Sequence, residues 1–381
     1  MQNVIFASGI GLVPRVSATD GCRARIEADL DALSKPWAEL EARADATVFQ
    51  SYAWCSLWAE AARRAGCPET ARIVTVWQGS RLVLLWPLAL RRLGPLKILH
   101  GFGDPASQYG DALIERDGDR ARWLELAWDQ LRALRGVHAL HLKAVRADAA
   151  LGPLLEARGE RFVTRRDVSP FADFRPDAPP VSRSGRTRNA LKRHLRLLGG
   201  YGETAFTVVT DPRERAEAIR DAVRLKQAWI ARTAQVSAGY GHPANRHFLE
   251  ALAGLDDFLI LRLSVGGRIA AIEAGLLRDG RYYSMVQTYD ARYALHGPGR
   301  LLFFHMVERP AAFGIEVLDF LAPTYRHKSE WANGEMPVRD YVIPLRPVGW
   351  LMLGYVRHAR PRLKAGLQWL RRHLRSRALL G

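Results

Sequence analysis

Two periodicities run through the chain. Apolar Trp54, Leu57, Trp58 and Ala61 recur at i, i+3, i+4 and i+7, which predicts an amphipathic helix, and residues 21–47 before it read as a polar, alanine-rich helical lead-in. Ile73, Val74, Val76 and Trp77, a turn at Gln78-Gly79-Ser80, and the run Leu82 to Leu90 predict a hairpin over 71–91, with Gly79 supplying the positive φ of a tight turn. A loop holding Gly101, Gly103 and Gly110 follows, then a helix over about 119–135 with Trp123, Leu126, Ala127, Leu131 and Leu134 on one face, then a strand at 137–142.

The composition changes at 173–190, where Pro176, Pro179, Pro180, Ser182, Ser184 and Gly185 gather, and the domain boundary is placed there. Beyond it come a basic helix and a strand at Phe206 to Val209. A further helix begins at Asp211, with Pro212 at its first position and Glu214 in its first turn. An aspartate oxygen satisfies free amides, proline loses nothing there, and glutamate suits the positive helix end. That helix is expected to reach about Arg232, and another surrounds Phe248 and Leu252. Strands are predicted at 258–264, 268–277, 281–289 and 316–321, with a helix at about 298–309.

The two halves repeat one pattern. Ile73 to Leu82 and Leu259 to Ile269 are each a strand, a glycine turn, an arginine (Arg81, Arg268) and a second strand. In each half a long helix precedes the hairpin, and a glycine-rich loop, a helix and a strand follow it. Only the second half places His296-Gly297-Pro298-Gly299-Arg300-Leu301 directly between a strand and a helix. With Gly297 as the cap and Pro298 first in the helix, the amides of Gly299, Arg300 and Leu301 are expected to point out of the helix end. Together with the helix dipole they would form a pyrophosphate site, which Arg300 would reinforce.

Charge sharpens this picture. The 381 residues carry 56 Lys and Arg against 39 Asp and Glu, a formal net charge of +17. Six basic residues and no acid lie in 183–196, eight and none in 348–381, and the rest is close to balance. Such segments attract phosphates of nucleotides, nucleic acid or lipid head groups. Leu363, Leu367, Leu370 and Leu374 form one helical stripe in the second of them, flanked by Trp369 and by Arg362, Arg371, Arg372, Arg375 and Arg377. The expectation is a helix that holds the protein at the inner face of a membrane or against a membrane-bound synthase. The alternative is that the stripe packs on the second domain. No apolar run approaches the length of a membrane span, and the N-terminus lacks the positive flank of a signal peptide. Cys22, Cys55 and Cys67 show no metal spacing and cannot all pair, which favours a reducing cytosol. No metal site, P-loop, dinucleotide fingerprint or nucleophile elbow is present in the sequence.

The element order of the second half resembles the Gcn5-related N-acetyltransferase (GNAT) fold, whose corresponding loop cradles the pyrophosphate of coenzyme A. Gly297 and Gly299 fit that loop, while Ala294 stands where the family has Gln or Arg. More specifically, the chain resembles the CelD-like and BioF2-like tandem acetyltransferases, relatives of the FemAB aminoacyl transferases. The matching stretches are Phe49 to Trp54, Trp86 to Arg92, Tyr109 to Leu113, Leu198 to Tyr201, Tyr289-Asp290 with Tyr293, Gly297 to Leu301, Leu318 to Leu321, and Tyr325 to Trp331. They span residues 49 to about 332.

The resemblance implies an α/β (α+β) class with two tandem GNAT-like domains, each a mixed, mainly antiparallel sheet flanked by helices. The expected division is a leader at 1–20, poorly ordered or an artefact of start-codon choice; an N-terminal domain at 21–175; a linker and basic helix at 176–200; a C-terminal domain with the donor site at 201–345; and a basic amphipathic segment at 346–381. An acyl donor would lie in the cleft between the strand ending near Tyr289 and the strand Val317 to Leu321.

Lys328 is the first candidate to face the developing charge, followed by Tyr325 as a donor to the leaving thiolate, Asp319, a lone acid in an apolar strand, and Tyr289. Glu273, interrupting the apolar run Ile269 to Leu277, is a candidate general base or a residue of the solvent face. Gly297, Gly299, Arg300 and Leu301 are assigned to the donor; Arg188, Arg193 and Trp331 to the substrate. The implied function is acyl transfer, acetyl in the first instance, from acyl-CoA (acetyl-CoA) as co-substrate to an amine or hydroxyl of a sugar or cell-envelope or exopolysaccharide precursor, in the cytoplasm or peripherally at the inner membrane. Two alternatives stand: an aminoacyl-tRNA-dependent transferase whose basic helix meets the tRNA backbone, and a non-catalytic subunit of a polysaccharide synthase complex, which Ala294 favours.

Overall fold

The computed structural model describes residues 21–181 and 184–378, so the leader expected at 1–20 lies outside it. The first half contains β1 (Cys22–Glu27), α1 (Ser34–Glu41), α2 (Tyr52–Arg64), β2 (Thr70–Ala71), β3 (Ile73–Gln78), β4 (Arg81–Trp86), β5 (Leu88–Leu93) and β6 (Leu96–Gly101). It continues with β7 (Leu113–Ile114), α3 (Arg120–Ala133), β8 (Ala139–Arg146), α4 (Gly152–Arg158) and β9 (Val163–Asp173). The expected helical lead-in is corrected at its start. Exposed Arg23 and Arg25 alternate with the more buried Cys22, Ala24 and Ile26, so β1 follows a two-residue period and pairs antiparallel with β3. Pro87, without an N–H to donate, separates β4 from β5, and there the chain passes from a small sheet (β1-β3-β4-β7) into the large one.

The second half holds α5 (Gly185–Gly199), β10 (Thr204–Val208), α6 (Pro212–Thr233), α7 (Asn245–Leu252), β11 (Phe258–Val265), β12 (Arg268–Arg278) and β13 (Arg281–Tyr289). After these come α8 (Pro298–Val307), β14 (Val317–Asp319), α9 (Arg326–Ser329), β15 (Gly334–Pro344), α10 (Gly349–Gly354) and α11 (Arg360–Ala378). Asp211 caps α6 as its sequence predicts, accepting from the amides of Arg213 at 2.9 Å and Glu214 at 3.0 Å.

One sheet crosses both halves, in the order β10-β11-β12-β13-β14-β9-β15-β8-β6-β5-β2. Strand β9 of the first half pairs with β14 of the second, and β15 of the second lies between β9 and β8 of the first. The break in composition at 173–190 is therefore a connection and does not divide the sheet. Helices α2 and α7 add a further contact between halves, with Trp54 and Trp58 edge-on to Phe248 at 4.7 and 5.2 Å.

Candidate active site

Each half contains one short parallel strand pair whose members then part. In the first half β6 and β8 are paired at Ile98–Ala139, Leu99–Leu140 and His100–His141. In the second β13 and β14 are paired at Arg281–Val317, Tyr282–Leu318 and Tyr283–Asp319. The first wedge is bridged by its own chain and keeps only a small cavity, lined by Phe102, Asp104, Gly110 and Lys143 among others. The Gly110 amide donates to the Lys143 carbonyl at 3.0 Å, and Lys143 is locked to Asp104 at 2.6 Å. The second wedge opens beyond Tyr283, where β14 ends while β13 runs on to Tyr289.

Three titratable groups converge on this second wedge. Glu273 on β12 is fully buried. One of its carboxylate oxygens accepts from Ser284 at 2.5 Å and from Tyr282 at 3.3 Å; the other has no partner among the described residues. Burial raises its pKa to about 8, against the pull of those hydrogen bonds and of Lys226 and Lys328. Lys328 on α9 folds back over the segment following β14 and donates to the carbonyls of Leu321 at 2.9 Å and Pro323 at 3.1 Å. Burial lowers its pKa to about 8, opposed chiefly by Asp319. Lys226 on α6 donates to the Gln287 carbonyl of β13 at 2.9 Å, its pKa also lowered by burial. Its ammonium stands 4.9 Å from the Trp229 ring centre and 5.8 Å from that of Tyr240.

Helix α8 starts beside this cluster. Gly297 caps it in the left-handed conformation (φ 58°), Pro298 is its first residue, and a Cβ built on Gly299 would lie 3.6 Å from the Gln287 side chain. The Leu301 amide, expected to be free, closes the first turn onto the Gly297 carbonyl at 3.1 Å, because a cap residue's carbonyl already accepts an intrahelical bond. The amides of Gly299 and Arg300 remain in the first turn, ahead of that bond. The Arg300 side chain reaches Glu330 at 3.1 Å, joining α8 to the segment that carries Lys328. Basic helix α5 borders the same region: His194 and Tyr201 lie near the His296 ring at 6.5 and 5.4 Å.

The other sequence candidates take varied places. Tyr325 is 54% exposed and stacks on His327 at 5.7 Å. Tyr289 lies under the Arg232 guanidinium. Asp319, 1% exposed, accepts from Tyr109 at 2.7 Å, Ser169 at 3.1 Å, the Leu321 amide at 2.9 Å, and Arg146 and Arg281 at 3.4 Å each. Its oxygens are thereby committed to tying the two halves together under the wedge. Arg188 pairs with Glu308 at 3.2 Å, and Arg193 is exposed on α5. Trp331, assigned to substrate contact, is instead a core residue: it is 1% exposed and packs near Phe303 at a ring distance of 6.3 Å. Sequence reasoning missed Lys226, although a signal was there. It lies three, four and seven residues after Val223, Ala222 and Ile219, on the face that α6 buries.

Residues 185–329 match the family model of the acetyltransferase (GNAT) domain. No curated protein matches the chain by sequence. Among solved structures, FemX aligns with a TM-score of 0.55 at 10% identity, over 87% of this chain and 100% of its own. A conserved protein of unknown function from Bacteroides thetaiotaomicron aligns with a TM-score of 0.51 at 14% identity, over 84% and 99%. A tandem GNAT protein from the clavulanic acid biosynthesis pathway gives 0.48 at 12%, over 86% and 99%. At such identities the first two likenesses are of fold. Residues 185–329, around the second wedge, thus carry an acetyltransferase (GNAT) domain, within a chain whose two-halved fold is like that of FemX.

Proposed function

We propose that the protein transfers an acyl group, acetyl in the first instance, from acyl-CoA to an amine or hydroxyl of a sugar or other envelope or exopolysaccharide precursor, as its CelD-like and BioF2-like resemblance implies. The observation that carries this reading is the convergence of Glu273, Lys226 and Lys328 in a wedge bordered by the start of α8. The Glu273 oxygen that has no partner among the described residues, and the first-turn amides of Gly299 and Arg300, suit an acceptor proton and donor phosphates respectively. Acyl-CoA, when bound, supplies an activated thioester carbonyl. Ionised Glu273 accepts the proton of the attacking amine or hydroxyl as the new C–N or C–O bond forms. The Lys328 ammonium stabilises the charge on the carbonyl oxygen and gives a proton to the sulfur as the C–S bond breaks.

The basic helix α5 beside α8 supports a second reading, an aminoacyl-tRNA donor. Calorimetry with acetyl-CoA and, separately, with aminoacyl-tRNA decides between them. Thiol release in the presence of a panel of amino sugars then separates a transferase from a non-catalytic subunit. Heat with tRNA alone, or acetyl-CoA binding without thiol release for any acceptor, overturns the first reading.

A further inference from the structure

The C-terminal helix was open to two expectations, packing on the second domain or lying on a surface. Its base is anchored: Met352, Leu353 and Val356 are buried, Trp350 lies near the Phe162 ring at 5.9 Å, and Arg357 donates to the Val163 carbonyl at 3.1 Å. Past that point the apolar stripe continues, but the body does not. Leu363 is 63% exposed, Leu367 43% and Leu370 47%, and every residue from Arg360 to Leu370 except Gln368 is exposed. From Arg371 onward the side chains lie outside what is described, Leu374 among them.

Residues 348–381 carry eight Lys and Arg and no acid, so the apolar face is bordered by one sign of charge. No helix among the described residues is long and apolar enough to cross a membrane. An apolar stripe between cationic flanks matches a surface that offers hydrocarbon below and negative charge above.

We infer that α11 is a membrane-surface helix that seats the protein on an anionic lipid bilayer, with Leu363, Leu367 and Leu370 entering the acyl boundary and Arg360, Arg362 and Lys364 meeting the head groups. A protein surface or a second copy of the chain would cover leucines equally well; the unbroken positive charge favours the lipid. This inference is independent of the acyl chemistry, because no residue of the wedge takes part.

The test is co-sedimentation of the full chain with vesicles of phosphatidylcholine alone and of phosphatidylcholine containing phosphatidylglycerol. Binding at least tenfold stronger to the anionic vesicles, weakened by high salt, is expected. A variant with Leu363→Ser, Leu367→Ser and Leu370→Ser, and another with Arg360→Glu, Arg362→Glu and Lys364→Glu, should each lose that binding. Both should keep the wild-type thermal transition, since the changed residues are exposed. Equal binding to both vesicle types, no binding to either, or retention by the serine variant overturns the inference. So does a concentration-dependent dimer that the serine variant abolishes, which would assign the face to a second copy.

Discussion

The Ser284 hydroxyl donates to one carboxylate oxygen of Glu273 at 2.5 Å, and the second oxygen of that buried carboxyl is left without a partner among the described residues. Ser284 holds the group in place without neutralising it. With a pKa near 8, about a tenth of Glu273 is ionised at pH 7. Lys328 loses its proton in the same range. The base needs the ionised form and the stabilising ammonium the protonated one. Acyl transfer should therefore follow a bell in kcat/KM with both limbs near pH 8, and the pair titrates as a unit. Glu273→Gln should remove nearly all turnover. A pH profile already level well below this window, or still rising above it, would assign the chemistry to other groups.

The same carboxyl makes a prediction for stability. Its folded pKa of about 8 lies above its ordinary value of 4.5, so the folded chain holds a proton that the unfolded chain has released between those values. Stability then falls as pH rises through that window, and it levels off above about 8. Glu273→Gln should flatten this component. Urea midpoints measured from pH 5 to 8 on both proteins, compared as a difference, read it directly.

Lys328→Met should lower kcat by about a hundredfold while acetyl-CoA affinity stays within a few-fold, because a group that meets developing charge acts chiefly in the transition state. The carbonyls of Leu321 and Pro323 lose their donor in this variant, so a thermal melt must accompany the kinetics. Equal losses in kcat and in affinity would make Lys328 a donor-binding residue.

Arg300 is bonded to Glu330 at 3.1 Å in a partly exposed pair, and Arg326 lies 3.7 Å from the same carboxylate. An incoming phosphate has to compete with Glu330 for Arg300. Glu330→Gln should strengthen acetyl-CoA binding severalfold at low salt and have little effect at high salt, where exposed pairs are screened. Calorimetry at two ionic strengths checks both outcomes.

Much of the second half was legible because its signals are local. The cap at Asp211 is a matter of adjacent residues, and the strand predicted at 281–289 is observed with those bounds. The convergence in the wedge was harder to read: Lys226, Glu273 and Lys328 come from three elements separated by 102 residues in the chain, and only the sheet brings them together. The pairing of β15 between β8 and β9 was also hidden. A strand's partners depend on long-range register, which its own alternation does not specify. Trp331 misled for a related reason: an aromatic in a motif reads the same whether it faces a ligand or Phe303.

Tyr109 and Asp319 belong to different halves, and their 2.7 Å hydrogen bond lies in the continuous structure that joins them. Tyr109→Phe removes a donor from a buried carboxylate, at a cost of about 1–3 kcal/mol. Since the sheet and the contact between α2 and α7 still span both halves, the variant should unfold in one transition at lower temperature. Two resolved calorimetric transitions would show that the halves are separable folding units.

The two wedges call for opposite outcomes from two glycine substitutions. In the open wedge, a Cβ at Gly299 makes only ordinary contact, 3.6 Å from the Gln287 side chain, and the backbone φ there is not positive. Gly299→Val should therefore fold, but its added bulk blocks phosphate approach to the first-turn amides and should weaken acetyl-CoA binding at least tenfold, about 1.4 kcal/mol. In the bridged first wedge, a Cβ at Gly110 would stand 2.8 Å from the Lys143 carbonyl oxygen, which accepts the Gly110 amide. Gly110→Ala has to push the loop away from β8 and should lower the melting temperature, while acetyl-CoA affinity of the folded fraction stays unchanged. Calorimetry and thermal melts on both variants give four readouts. If Gly110→Ala loses donor affinity and Gly299→Val keeps it, the donor belongs to the first half, and the assignment of the open wedge to acyl-CoA fails.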